Sequence, residues 1–179
     1  MVRVGDVLIG EDAIAERIAD LGAAISADYA GRDLLVVGVL KGAFMVMADL
    51  ARKITVPVEF DFMAVSSYGA ATQTSGVVRI LKDLDSEIEG RHLLIVEDVI
   101  DSGLTLSYLM KSLRVRKPAS IEVAALLHKT GIQRVPIELR YVGFEIGSEF
   151  VVGYGLDCDG LYRNLPHIAL MEHDDAPDA

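Results

Sequence analysis

The chain has 179 residues, a length that suits one domain with a sizeable core. Hydrophobic residues make up 51% of it, which excludes a disordered chain, yet no apolar run approaches the roughly 18 residues of a membrane span. The net charge of −10 argues against a general nucleic-acid binder, which would need a basic face to collect phosphates. Cys158 is the sole cysteine, so no internal disulfide can form, and Met1-Val2-Arg3-Val4-Gly5-Asp6 lacks the apolar core of a secretory signal. A cytoplasmic protein is the expectation.

In chain order, residues 3–8 read as a short strand. Ile14, Ile18, Leu21 and Ile25 recur at helical spacing within 11–30, with Gly31 as the expected C-cap. Residues 33–40 form a second apolar strand that ends at Lys41-Gly42-Ala43, and 44–52 read as a helix. Lys41 therefore stands at a strand end, where open α/β sheets hold their ligands, although a solvated loop lysine reads equally well. Residues 56–65 and 77–81 are apolar arms around a polar, small-residue tip, Ser66-Ser67-Tyr68-Gly69 to Gly76. The whole reads as a long flexible hairpin: an ordinary surface loop, or a lid that excludes water from a reactive intermediate.

The chemistry concentrates in Leu93-Leu94-Ile95-Val96-Glu97-Asp98-Val99-Ile100-Asp101-Ser102-Gly103-Leu104-Thr105-Leu106. Four aliphatics read as a strand buried on both faces, two acids close it, and a short turn leads into a segment with Leu104, Leu106, Leu109, Met110 and Leu113 at helical spacing. A helix N-terminus offers free N–H groups and partial positive charge to an anion, Gly103 lets the backbone approach, and Ser102 and Thr105 add hydroxyl donors. Glu97 and Asp98 would repel a bare phosphate, but they suit sugar hydroxyls or a metal that accompanies one. The simpler alternative is a capped helix, with Asp101 or Ser102 as the cap and the acids solvated.

Further on, residues 120–127 form a β-rich stretch that leads to His128-Lys129-Thr130-Gly131, so Lys129 also sits at a strand end. Residues 138–144 and 150–154 read as two more strands. Phe150 alone would be a core aromatic, Asp157 a turn aspartate before Asp159-Gly160, and Arg163 a surface arginine. His92 and His167 have no partner identifiable by spacing. The tail from Glu172 carries four acids and Pro177, and 173–179 are expected to be disordered.

The stretch from Leu93 to Thr105 resembles the ribose-phosphate signature of type I phosphoribosyltransferases: apolar strand, two acids, two apolar residues, Asp, Ser/Thr, Gly, one residue, Thr. Three more motifs follow the family in order, so the likeness runs from about 36 to 168. Leu40-Lys41-Gly42 resembles the pyrophosphate loop, whose peptide bond the family often holds cis. Ser66-Ser67-Tyr68-Gly69 resembles the catalytic flexible loop, in which Ser67 and Tyr68 would close over pyrophosphate. Phe150-Val151-Val152-Gly153-Tyr154-Gly155-Leu156-Asp157 is similar to the base and metal segment of the family's hypoxanthine-guanine branch. Cys158 stands where relatives usually have Tyr, and Gly160-Leu161 replaces a more polar pair, so preference among 6-oxo purines stays open.

The resemblance implies an α/β fold: a Rossmann-like parallel sheet flanked by helices, with a small hood formed by the chain termini and a long flexible hairpin loop. It implies one domain over 1–179, with a core of about 30–155 and the hood from about 1–10 and 156–172. It also implies a Mg2+-dependent pentosyltransferase that moves ribose 5-phosphate from 5-phosphoribosyl 1-pyrophosphate to N9 of hypoxanthine or guanine. Lys41, Gly42, Ser67, Tyr68 and Arg163 would meet pyrophosphate. Glu97, Asp98 and Asp157 would serve sugar and metal, and Asp101 would be the general acid/base at N7. Asp101, Ser102, Gly103, Leu104 and Thr105 would hold the 5′-phosphate. Lys129 would donate to O6, Phe150 would stack on the purine, and the Val151 backbone would meet the base edge. A homodimer or homotetramer is implied, with no nucleic-acid or membrane partner. Two competing readings are a nucleotide-binding regulator on the same fold, disfavoured by the acidic charge, and an enzyme for xanthine or a pyrimidine.

Overall fold

The computed structural model describes residues 2–68 and 77–173. Its main sheet has six strands: β2 (Leu34–Leu40), β3 (Glu59–Tyr68), β4 (Val77–Lys82), β5 (His92–Ile100), β6 (Ser120–Lys129) and β7 (Tyr141–Ile146), in the order β4-β3-β2-β5-β6-β7. All neighbours are parallel except β3 and β4, which form the antiparallel hairpin. From β2 the chain passes through α2 (Phe44–Ala51) to β3 on one side. It then returns to lay β5 on the other side of β2. The strand order therefore reverses between β2 and β5, and the crevice beyond their carboxyl ends is the expected ligand position in an open parallel sheet.

The central strands are apolar throughout because both faces are covered. Alternate residues point to opposite faces. Leu34, Val36, Leu94, Val96, Ala124 and Leu126 pack against α1 (Glu11–Asp28) and α2. Leu35, Val37, Leu93, Ile95, Val123 and Ala125 pack against α3 (Leu104–Arg114), through Leu106, Leu109 and Leu113. No helix among the described residues is long and apolar enough to cross a membrane.

The first and last described segments meet in a second, antiparallel sheet of β1 (Val2–Ile9), β9 (Ile168–His173) and β8 (Val151–Val152). Several boundaries differ from the sequence reading. β3 begins at Glu59, two residues past Pro57, which has no N–H for a ladder. It runs on to Tyr68, because Ser66, Ser67 and Tyr68 pair with Arg79, Val78 and Val77. Helix α1 stops at Asp28 with Tyr29 as its C-cap, and Gly31 takes its positive φ two residues later. The expected strand over 150–154 shrinks to Val151–Val152, and β9 was not anticipated at all.

Candidate active site

The β5–α3 connection forms a compact cradle. Glu97, Val99, Ile100, Asp101, Ser102, Gly103, Thr105 and Leu106 line a cavity of about 100 Å3. Gly103 is the N-cap of α3, in a left-handed conformation with φ 78, and no side chain caps the helix. The capping alternative therefore fails for Asp101, whose exposed carboxylate has no hydrogen bond among the described residues. The Ser102 hydroxyl reaches the Leu104 N–H only at 3.5 Å. The first-turn amides remain available to an anion.

A brace holds the cradle from behind. The Ser102 carbonyl accepts hydrogen bonds from the amides of Arg134 and Val135, at 3.0 and 3.2 Å. The Val135 carbonyl and Ile137 press on Gly103 so closely that a Cβ there would have to displace them. The loop after β6 thus ties the strand that carries Lys129 to the turn that opens α3, a contact that the sequence reading missed.

Four polar or charged side chains are buried among the described residues: Ser26, Asp61, Glu97 and Lys129. Two are satisfied. Ser26 bonds the Gly22 carbonyl and the Thr55 amide, and Asp61 accepts from the amides of Phe62, Asp85 and Ser86 and from Lys82. The other two stand near the carboxyl ends of neighbouring strands, Glu97 on β5 and Lys129 on β6, and neither side chain has an ion-pair partner among the described residues. Burial pushes the Glu97 carboxyl well above the usual range, and the adjacent Asp98 pushes it further. Burial likewise raises Asp98, opposed by its bond from the Val99 amide and by Arg163 nearby. Both residues are largely buried while their charged ends carry no ion-pair partner among the described residues, so this pair is the site's clearest mark of function.

Lys41 and Gly42 arrive from β2 across a cis Leu40–Lys41 peptide bond. Lys41 is exposed and has no ion-pair partner among the described residues. Gly42 lies against Asp98 so closely that a Cβ would collide with the carboxylate. The Lys41-Gly42 turn and the acidic strand end are therefore brought together at the switch point.

Residues 9–159 match the model of the phosphoribosyl transferase domain family. The chain belongs to this family. A hypoxanthine-guanine phosphoribosyltransferase of Mycobacterium bovis is 53% identical over 175 residues, covering 94% of this chain and 87% of the relative. One from Bacillus subtilis is 50% identical over 166 residues, covering 93% and 92%. The crystal structure of a hypoxanthine phosphoribosyltransferase from Staphylococcus aureus superposes with a TM-score of 0.91 at 44% identity, covering 94% of this chain and 92% of that one.

The third expected metal carboxylate, Asp157, is engaged with other partners in this structure. Glu97, Asp98 and Asp157 were expected to form one metal set, but no group of three His, Cys, Asp or Glu side chains among the described residues could hold a metal. Asp157 turns instead to Arg163, with an ion pair at 2.6 Å, and to the Gly160 amide at 2.7 Å. Arg163 also donates to the Gly155 carbonyl at 2.6 Å. Glu97 and Asp98, adjacent hard-oxygen donors, do fit Mg2+, which commonly takes one or two carboxylates and completes its shell with water and substrate phosphate.

The remaining residues fall into place around this centre. Phe150 is 53% exposed while its carbonyl accepts from the Met171 amide, so an aromatic face is offered on a fixed backbone. Val151 is buried and paired with Leu170. Thr105 is half-buried and Leu104 exposed, both in the first turn of α3. Ser67 and Tyr68 end β3; their side chains, and the tip at 69–76, lie outside the described residues.

The unusual Cys158-Asp159-Gly160-Leu161 forms a tight turn. The Leu161 amide donates to the Cys158 carbonyl at 3.0 Å, with positive φ at Asp159 and Gly160. Two consecutive left-handed positions select Asp-Gly, which accounts for the glycine in place of a polar residue. Of the histidines, His92 bonds Ser120 at 2.8 Å at the start of β5, away from the cradle. His128 contacts Gln133 at 3.0 Å beside Lys129.

Proposed function

We propose that the chain is a purine-salvage enzyme that transfers ribose 5-phosphate from 5-phosphoribosyl 1-pyrophosphate to N9 of hypoxanthine or guanine, giving IMP or GMP and pyrophosphate. The observation that carries this is the uncapped N-terminus of α3 beyond the switch point, with Glu97 beside it on β5 and Lys129 at the end of the neighbouring β6, both without an ion-pair partner among the described residues. The family match and the names of the curated relatives support it.

The mechanism follows from the charges. The C1′–oxygen bond to pyrophosphate breaks with its electron pair on the leaving group, and the N9–C1′ bond forms. The amides and hydroxyls from Asp101 to Thr105 hold the 5′-phosphate and so fix the ribose. Glu97 and Asp98 meet the 2′ and 3′ hydroxyls, and their negative charge favours a ring that becomes cationic. Lys41, the Gly42 amide and Arg163 receive the leaving pyrophosphate. Asp101, exposed and uncommitted, takes the proton from N7 as N9 attacks. Lys129 donates to O6, which a 6-oxo purine accepts and the amino group of adenine does not. Phe150 stacks on the base, and the Val151 backbone meets its edge. Glu97 and Asp98, with Asp157 once Arg163 turns to pyrophosphate, would hold Mg2+, which when bound neutralises leaving-group charge. Ser67 and Tyr68 are assigned to the closing lid by resemblance.

A homodimer or homotetramer in the cytoplasm completes the proposal. A panel of radiolabelled bases with 5-phosphoribosyl 1-pyrophosphate tests it. Label entering nucleotide from hypoxanthine or guanine, and not from adenine or uracil, is the expected result. Transfer only to a pyrimidine, or to no base, contradicts it.

A further inference from the structure

Arg163 and Lys41 must converge on one leaving group from two segments that share no strand pairing. The segment that carries Arg163 is anchored upstream, where Val151 and Val152 pair with Leu170 and Ala169 of β9. Downstream it leaves the sheet. There Tyr154 takes φ 48, a left-handed conformation that a bulky residue adopts only when its surroundings impose it. Three of the four non-glycine residues with positive φ among the described residues, Tyr154, Asp159 and Tyr162, lie in this one segment.

A buried contact imposes that conformation on Tyr154. Its side chain is 4% exposed, and its hydroxyl donates to Asp49 of α2, the helix that starts directly after the Lys41-Gly42 turn. The next residue, Gly155, sits against that same turn: a Cβ on it would collide with the Gly42 carbonyl. Gly155 in turn accepts from Arg163 through its carbonyl and donates its amide to the Arg163 carbonyl at 3.0 Å. A continuous line of contacts thus runs from Asp49 through Tyr154 and Gly155 to Gly42 on one side and Arg163 on the other. Tyr154 and Asp49 line a separate cavity of about 450 Å3 with Ile14, Ile18 and Met45, which shares no residue with the phosphate cradle.

We propose that Tyr154 is a positioning residue for phosphoribosyl transfer: its hydroxyl, seated on Asp49, sets the Gly155–Arg163 segment against the Lys41-Gly42 turn and so shapes the grip on pyrophosphate. This rests on the function proposed above. Phe150 and Val151 precede the contact and are held by β9, so the base side does not depend on it.

Steady-state kinetics of five variants test the role. Tyr154→Phe removes only the hydroxyl; KM for 5-phosphoribosyl 1-pyrophosphate rises about fivefold, the net scale of one ordinary hydrogen bond acting through position. KM for pyrophosphate in the reverse reaction rises alike, while KM for the purine changes less than about twofold. Asp49→Ala does the same, and the double variant is no worse than either single one. Asp49→Asn, which keeps an acceptor oxygen, restores most of the affinity. Tyr141→Phe is the control, because Tyr141 donates to Asp28 at 2.6 Å outside the site; all its KM values stay as in wild type.

An active wild type whose Tyr154→Phe variant keeps a normal KM overturns the positioning role alone. So does a Tyr141→Phe variant that shows the same rise, or additive losses in the double variant. If Tyr154→Phe does not fold, the contrast between Asp49→Ala and Asp49→Asn decides by the same criterion. A wild type that transfers to no 6-oxo purine overturns the function instead.

Discussion

The two ends of the parallel sheet treat charge in opposite ways. Where the strands begin, charges are paired: Arg91 bridges Asp33 at 2.9 Å and Glu59 at 2.8 Å, and Arg140 bridges Asp28 at 3.0 Å and Glu122 at 3.6 Å. Tyr141 and Arg140 hold the Asp28 carboxyl below its usual range, and Ser86 and Arg91 do the same for Glu59. Where the strands finish, Lys41, Glu97, Asp101 and Lys129 have no counter-ion among the described residues, and Glu97 and Lys129 are buried as well. This chain can pair its charges where folding alone is at stake. At the other end it forgoes that stability, which marks those groups as reserved for a ligand.

The contrast is broken most directly at Asp101. Asp101→Asn keeps size and bonding capacity but cannot take a proton, so kcat falls about 10²- to 10⁴-fold while KM for 5-phosphoribosyl 1-pyrophosphate barely moves. Near-normal turnover would remove its proton-transfer role. Next in size is Lys129→Ala. Loss of a charge-assisted bond to O6 weakens purine binding about 10- to 100-fold, with much less effect on 5-phosphoribosyl 1-pyrophosphate, as titration calorimetry can measure. Equal losses for both ligands would take Lys129 out of the base pocket.

Stability sharpens the comparison further. Burial raises the Glu97 carboxyl, so below the ordinary carboxylate range both folded and unfolded chains hold its proton. As pH rises the unfolded chain releases it first, and the folded state loses stability until the elevated folded pKa is passed. Glu97→Gln should therefore stabilise the protein at pH 8 by roughly 1–3 kcal/mol and flatten its pH dependence, even though it impairs catalysis. Thermal melts across pH would show the reverse sign if Glu97 were a structural partner. The smallest effect belongs to the paired end: Arg91→Ala lowers Tm by about 2–4 °C at most and leaves kcat/KM unchanged.

The sequence made some of this legible and hid the rest for physical reasons. The phosphate cradle is one contiguous segment, so its strand, acids, turn and helix start all show within 14 residues from Leu93 to Leu106. Lys41 and Lys129 could be placed because apolar runs end at them. The brace from Arg134 and Val135 to Ser102 joins two segments with no shared periodicity, so nothing local announced it. β9 is a strand because β1, at the far end of the chain, pairs with it, whereas the sequence from its one acid, Glu172, onward reads as tail. Asp157 was assigned to the metal from its motif alone; its bond to Arg163 depends on the turn at Asp159-Gly160, visible only once folded. Tyr154 did leave a trace, since a bulky residue between two glycines signals a tight backbone path.

On the proposed function, the uncapped start of α3 grips the nucleotide's 5′-phosphate while Glu97 and Asp98 hold its sugar. A crystal grown with IMP tests it directly. The phosphate is expected within hydrogen-bond distance of the amides between Asp101 and Thr105, with the ribose hydroxyls toward the two acids. Phosphate bound anywhere else, with those amides facing solvent, would contradict it.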